Sequence, residues 1–228
     1  MFVVAGAAAA PNPVGGGGAP PAVAAAVDEL GTVSLPDDIE LLEVAGEGSC
    51  SVVFKVRYRG QTLALKVYRR EVVAEYRKKH DVNIAVYEMA RNRKFRKVPE
   101  LLPYSAKPIM VFGHDGKQSV SFLQEFIEGV PLTRVAEAAK AVPSSALEAI
   151  ESVARYADEA DLKNLELGYQ DMLVRKVNGR WVPIIHDFNQ IVDEQGGRSL
   201  IGLFRKSATS NQAHVQEWRK YAREIAAG

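Results

Sequence analysis

Residues 46–53 read Gly46-Glu47-Gly48-Ser49-Cys50-Ser51-Val52-Val53, and residues 64–67 read Ala64-Leu65-Lys66-Val67. Glycines between two strands let a backbone approach a phosphate closely, and the N–H groups they expose bind its oxygens. By itself that pattern reads first as a glycine-rich hairpin. The second stretch adds weight, because it sets one lysine among core residues of an apolar strand. A buried ammonium is costly unless an anion lies near. Lys66 therefore needs a carboxylate or a phosphate, or else snorkels from an edge strand.

Working outward, the flanks alternate with the period of a strand. Ser51 to Tyr58 sets Val53, Lys55 and Arg57 against Phe54, Val56 and Tyr58, and Gln61 to Tyr68 does the same. Arg59-Gly60 between them is a tight-turn signal. Ile39 to Ala45 reads as a further strand before the glycines. From Arg70 to about Asn92 there is no Gly or Pro, and Val73, Ala74, Val82, Ala85, Val86 and Met89 recur near helical spacing, which predicts one amphipathic helix. Pro108 to Phe112 and Val120 to Ile127 predict two more strands, with His114-Asp115-Gly116 as their turn. The order is three strands, a helix and two strands, a five-stranded sheet carrying one helix. Downstream, Ser144 to Ala160 and Val215 to Ala227 read as helices. A hairpin runs from Val174 through Val177-Asn178-Gly179 to Trp181 and Ile185, and ends in His186-Asp187-Phe188-Asn189.

Composition bounds the answer. The 228 residues are 47% apolar and 25% charged, with a net charge of +1. That balance argues against wholesale disorder and against a global field for a polyanion such as nucleic acid. Cys50 is the one cysteine, so no internal disulfide framework or Cys-cluster zinc site is expected, and the four histidines show no ligand spacing. No apolar run reaches the roughly 18 residues of a transmembrane helix. Residues 1–38 hold ten Ala, six Gly and five Pro and no Lys or Arg. They read as a flexible arm in which the Gly15–Gly18 run and Pro20-Pro21 cannot propagate a helix. The sharper alternative, a signal peptide over Phe2 to Ala10, lacks a positive n-region. The expectation is an intracellular, cytoplasmic protein.

Gly46-x-Gly48-x-x-Ser51-x-Val53 followed by Ala64-x-Lys66 resembles the glycine-rich loop and strand-three lysine of the protein kinase-like superfamily. The resemblance covers about residues 39–190. It implies an α+β fold with an N-lobe at 39–129 and a shortened, mostly helical C-lobe at 130–228. It implies ATP and Mg²⁺ as cofactors. Gly46, Gly48, Ser51, Val53 and Lys66 would hold the nucleotide. The backbone near Glu125 and Ile127, in Gln124-Glu125-Phe126-Ile127-Glu128-Gly129, would read the adenine. Asp187-Phe188-Asn189 would stand for Asp-Phe-Gly, with Asp187 on the metal.

The departures from the family bear on activity. The catalytic-loop positions fall on Glu166 and Asp171, where the family carries Asp and Asn. Glu166 would face the acceptor hydroxyl from a stem longer by about 1.5 Å, and Asp171 would join Asp187 as a metal ligand. A rival alignment takes Asp161-Leu162-Lys163 as that loop. By spacing from Tyr87 the lysine's helix partner would be the neutral Asn83. Glu88 would then point about 140° away from it, and Glu75 is another candidate. No Ala-Pro-Glu-like activation-segment end is recognisable after Asn189. The basic run Arg91 to Lys97 reads as a solvated helix end. Three functions remain open: an ATP-dependent phosphotransferase, a pseudokinase that binds nucleotide or a protein partner without transfer, and a truncated product without independent activity.

Overall fold

The structure, a computed structural model, describes residues 2–4, 20–30, 33–113, 120–168, 172–189 and 210–227. In chain order the elements are β1 (Phe2–Val4), α1 (Pro21–Leu30), β2 (Val33–Leu35), β3 (Ile39–Glu47), β4 (Ser51–Tyr58), β5 (Gln61–Tyr68), α2 (Arg70–His80) and α3 (Ile84–Phe95). A 3₁₀ turn (Pro99–Tyr104), β6 (Pro108–Phe112), β7 (Ser121–Glu125), β8 (Val130–Pro131), α4 (Leu132–Ala139), α5 (Ser144–Glu159), β9 (Leu173–Val177), β10 (Arg180–Ile184) and α6 (Gln212–Ala227) follow. The chain divides into two compact units, 1–89 with 107–126 and 90–106 with 127–228. The architecture is α+β.

In the first unit an antiparallel sheet of five strands runs in the order β3-β4-β5-β7-β6. Its central hairpin turns on Arg59 and Gly60, with φ of 48° and 76°. Two consecutive left-handed residues match the twist of the paired strands. The turn expected at His114-Asp115-Gly116 lies outside the described residues. Strand alternation buries Val52, Phe54, Val56 and Tyr58 of β4 with Leu63, Leu65 and Val67 of β5 on one face of the sheet.

That face is covered by a helix from the segment read as an arm. Val23, Ala26, Val27 and Leu30 of α1 pack into the same cluster, none more than 7% exposed. The four recur at i, i+3, i+4 and i+7, a stripe one helix face wide. Pro20-Pro21, expected to stop a helix, starts one: the Pro20 carbonyl accepts from the Val23 and Ala24 amides at 2.8 and 3.1 Å. Proline at the first helical position loses no hydrogen bond.

The single helix expected from Arg70 to Asn92 is two helices. Asp81 closes α2 in the left-handed conformation, at φ 52°. The Asn83 carboxamide oxygen then caps α3 by accepting from the Ala85 and Val86 amides at 3.0 and 3.2 Å. Asparagine and aspartate compete for backbone hydrogen bonds and so favour helix ends over helix interiors. The pair at 81 and 83 breaks a pattern whose apolar periodicity alone looked continuous.

In the second unit, α5 buries Ala146, Ile150, Val153, Ala154 and Ala157 against Leu132, Leu162, Leu165, Leu167, Val215 and Trp218. The hairpin β9–β10 turns on Asn178 and Gly179, at φ 49° and 79°, and β8 joins it as a third strand. Phe95 and Phe188 meet edge to face at 5.2 Å between ring centroids. Gly129 sits so close under this sheet that an added Cβ would lie 3.2 Å from both Ile184 and Leu173. Among the described residues no helix is long and apolar enough to cross a membrane.

Candidate functional site

Lys66 lies mid-strand on β5, opposite Val53 of β4 and Phe122 of β7. Alternation sends its neighbours Leu65 and Val67 into the cluster under α1, so Lys66 faces the other side of the sheet. It is buried at 3% exposure, which excludes the snorkelling alternative. Its Nζ donates to both carboxylate oxygens of Glu88, at 3.2 and 3.1 Å, and the Glu88 side chain is fully buried. The Tyr68 ring lies 5.3 Å from the ammonium.

Glu88 corrects the reading of the helix partner. Asn83, the residue placed there by spacing, is the cap of α3, and Glu75 pairs with Lys79 on α2. Only with Asn83 inside a helix does the five-residue rotation aim Glu88 away from the lysine. Asn83 is where α3 begins, so that position no longer defines the lysine-facing direction. Only the cap signal at Asp81–Asn83 could have revealed this.

The glycine turn closes tightly. Gly46 pairs with Val53 and Glu47 with Val52, and the Gly48 amide donates to the Ser51 carbonyl at 2.9 Å. Neither glycine is among the residues with positive φ. A Cβ on Gly46 would meet nothing within 4 Å, and one on Gly48 only the Ser51 carbonyl oxygen at 3.9 Å. Nothing in the chain's own packing requires glycine at these two positions. Ser51 is buried and Val53 half-buried. At the far end of β7 the Glu125 amide donates to the Lys107 carbonyl at 2.9 Å, while its carboxylate accepts from the Lys107 amide at 3.1 Å. That amide is therefore committed, and adenine recognition at Glu125 would fall to its carbonyl. Ile127 is half-buried.

The second unit presents Glu166 and Asp187, both half-buried. Asp187 Oδ1 accepts from the Asn189 amide at 3.1 Å. Asp171 lies outside the described residues. Among the described residues no three His, Cys, Asp or Glu side chains gather into a metal cluster. Magnesium held by one or two carboxylates together with phosphates does not need one, so Asp187 fits that ion as a partial ligand.

The segment around Glu166 is held by residues that pattern reading missed. Asn211, fully buried, accepts from the Leu165 amide at 2.9 Å and donates to the Leu162 carbonyl at 2.8 Å and to Asp158 at 2.7 Å. The Trp218 indole donates to the Leu167 carbonyl at 2.8 Å. From α3, Arg91 and Lys94 donate to the Lys163 and Asp161 carbonyls at 2.6 and 3.2 Å. The basic run is therefore more than a solvated helix end: two of its side chains satisfy loop carbonyls. Glu166 sits between Leu165 and Leu167, both tied to residues 211–218. Asp161, the rival catalytic position, has φ of 53° and a side chain that pairs with Lys163 at 3.3 Å.

No family model matches this sequence, and no curated protein matches it. Among solved structures the chain is similar to the crystal structure of the Mycobacterium tuberculosis PknI kinase domain, C20A_R136A double mutant, at 15% sequence identity and a TM-score of 0.47. The match covers 67% of this chain and 58% of that kinase domain, so the chain spans less than two thirds of the matched protein's length.

Proposed function

We propose that this chain binds Mg·ATP in the manner of protein kinase-like proteins, with Lys66 as the phosphate-binding cation. The observation that carries the reading is the buried Lys66–Glu88 pair beside a turn whose two glycines serve no packing need of the chain. A glycine not required by φ or by packing leaves room for a close approach from outside. The ammonium is held by a carboxylate, which fixes its direction while a phosphate shares its charge. Gly46, Gly48, Ser51 and Val53 border the phosphates in this reading, and the backbone at Glu125 and Ile127 borders the base. Asp187, with Asp171, would ligate the magnesium.

Bound Mg·ATP would supply the transferable phosphoryl group. The chain's own contribution to transfer would be Glu166, holding an acceptor hydroxyl and taking its proton. One feature favours the second reading, binding without transfer. Glu166 carries its carboxylate about 1.5 Å further out than aspartate, and a misplacement of about 1 Å can cost about 100-fold in rate. Glu166→Asp is expected to raise any phosphotransfer more than about twofold if stem length is the limit.

Calorimetric titration of Mg·ATP into the full chain tests the binding reading. Saturable binding is expected, weakened by Asp187→Asn, which keeps an acceptor for the Asn189 amide but removes the charge. Gly46→Ala and Gly48→Ala are expected to change stability by less than about 0.5 kcal/mol while weakening Mg·ATP. Absence of binding to a cooperatively unfolding chain overturns the proposal.

A further inference from the structure

Arg69 links β5 to α2, and its side chain reaches in three directions. Nη1 donates to Glu29 in the last turn of α1. Nη2 donates to Glu47 at 2.8 Å, and Nε to the Gly48 carbonyl at 3.3 Å. Its backbone amide donates to the Cys50 carbonyl at 2.9 Å. One residue therefore contacts positions 47, 48 and 50 of the glycine turn and holds the end of a helix from the N-terminal segment. The arginine side chain is 15% exposed, whereas Glu29 and Glu47 are 53% and 51% exposed.

We propose that Arg69 is the positioning residue of the glycine turn, and that α1 anchors it through Glu29. Guanidinium suits the task because its planar fork offers five donors in fixed directions, which an ammonium cannot copy. Glu29 has a set place because the other face of its helix is packed into the sheet through Val23, Ala26, Val27 and Leu30. The hydrogen bond that Arg69 donates to Glu29 is foremost in holding the guanidinium in its charged form; burial opposes this and Glu47 adds to it. Turning the Gly48 carbonyl toward Arg69 sets the plane of the peptide that follows, Gly48–Ser49, and hence the direction of the Ser49 N–H. Docking of α1 and the shape of the turn are thereby coupled. The consequence for phosphates rests on the nucleotide reading above; the coupling itself does not.

The test uses the full chain with Arg69→Lys, which keeps the charge and loses the fork, and with Glu29→Gln. Amide hydrogen exchange without nucleotide is read at Gly48, whose amide is bonded to Ser51, and across α3 as a reference. Exchange at Gly48 is expected to rise about tenfold in Arg69→Lys, the size of one hydrogen-bonded contact. In Glu29→Gln it rises about threefold, the scale of a half-exposed ion pair, and α3 is unchanged in both. Titrations with Mg·ATP and with adenosine then separate the phosphate end from the base. Arg69→Lys weakens Mg·ATP about tenfold and leaves adenosine unaltered. Unchanged exchange at Gly48 in Arg69→Lys, or equal losses for Mg·ATP and adenosine, overturns the positioning role. A wild-type chain that binds neither ligand overturns the nucleotide reading, and the exchange result alone then decides the role of Arg69.

Discussion

Glu88→Gln is expected to cost about 3–5 kcal/mol of stability, read as a fall in the urea midpoint at unchanged slope. The substitution is nearly isosteric, so packing is preserved and the loss reports the charge. Lys66 stays buried without the carboxylate that accepts its bonds of 3.2 and 3.1 Å. Domains of this size are stable by about 5–15 kcal/mol, so the loss is a large share of the total. The double substitution Lys66→Met with Glu88→Leu is expected to recover the loss, because apolar residues of similar volume need no compensation. It should also abolish Mg·ATP binding in a folded protein, which separates function from folding. A Glu88→Gln variant that loses less than about 1 kcal/mol would sink the claim that the pair is a desolvated one.

Trp218→Ala is expected to cost about 3–5 kcal/mol. The indole is fully buried, packs edge to face on Tyr221 at 5.8 Å, and its N–H satisfies the Leu167 carbonyl. The substitution leaves both a cavity and an orphaned acceptor in the segment that carries Glu166. Asn211→Asp is the sharper probe of the same region. It replaces a donor to Asp158 and to the Leu162 carbonyl by a second carboxylate at 2.7 Å from the first. Like charges so close, one of them at a fully buried position, destabilise the fold. Hydrogen exchange at the Leu165 amide, which Asn211 accepts at 2.9 Å, should rise sharply in this variant. If that amide stays protected, the bonds that Asn211 donates to Asp158 and Leu162 are not what fixes the segment.

Strand period, the left-handed turns at Arg59-Gly60 and Asn178-Gly179, and the requirement of Lys66 for an anion were legible in the sequence. Each is a local property, set by alternation, by backbone conformation or by the cost of burying one charge. Which carboxylate meets Lys66 was decided by tertiary structure. Apolar spacing reports a helix's face but not a break in it, and the caps at Asp81 and Asn83 reset the phase that brings Glu88 to the lysine. The docking of α1 was likewise hidden. Alanine favours a helix, but a helix of 10 residues is too short to hold by itself in water, and this one is supported by the sheet face it covers. The bonds from Asn211 to Asp158, Leu162 and Leu165 span 46 to 53 residues. No periodicity reaches across such a separation; only the packed core brings those groups together.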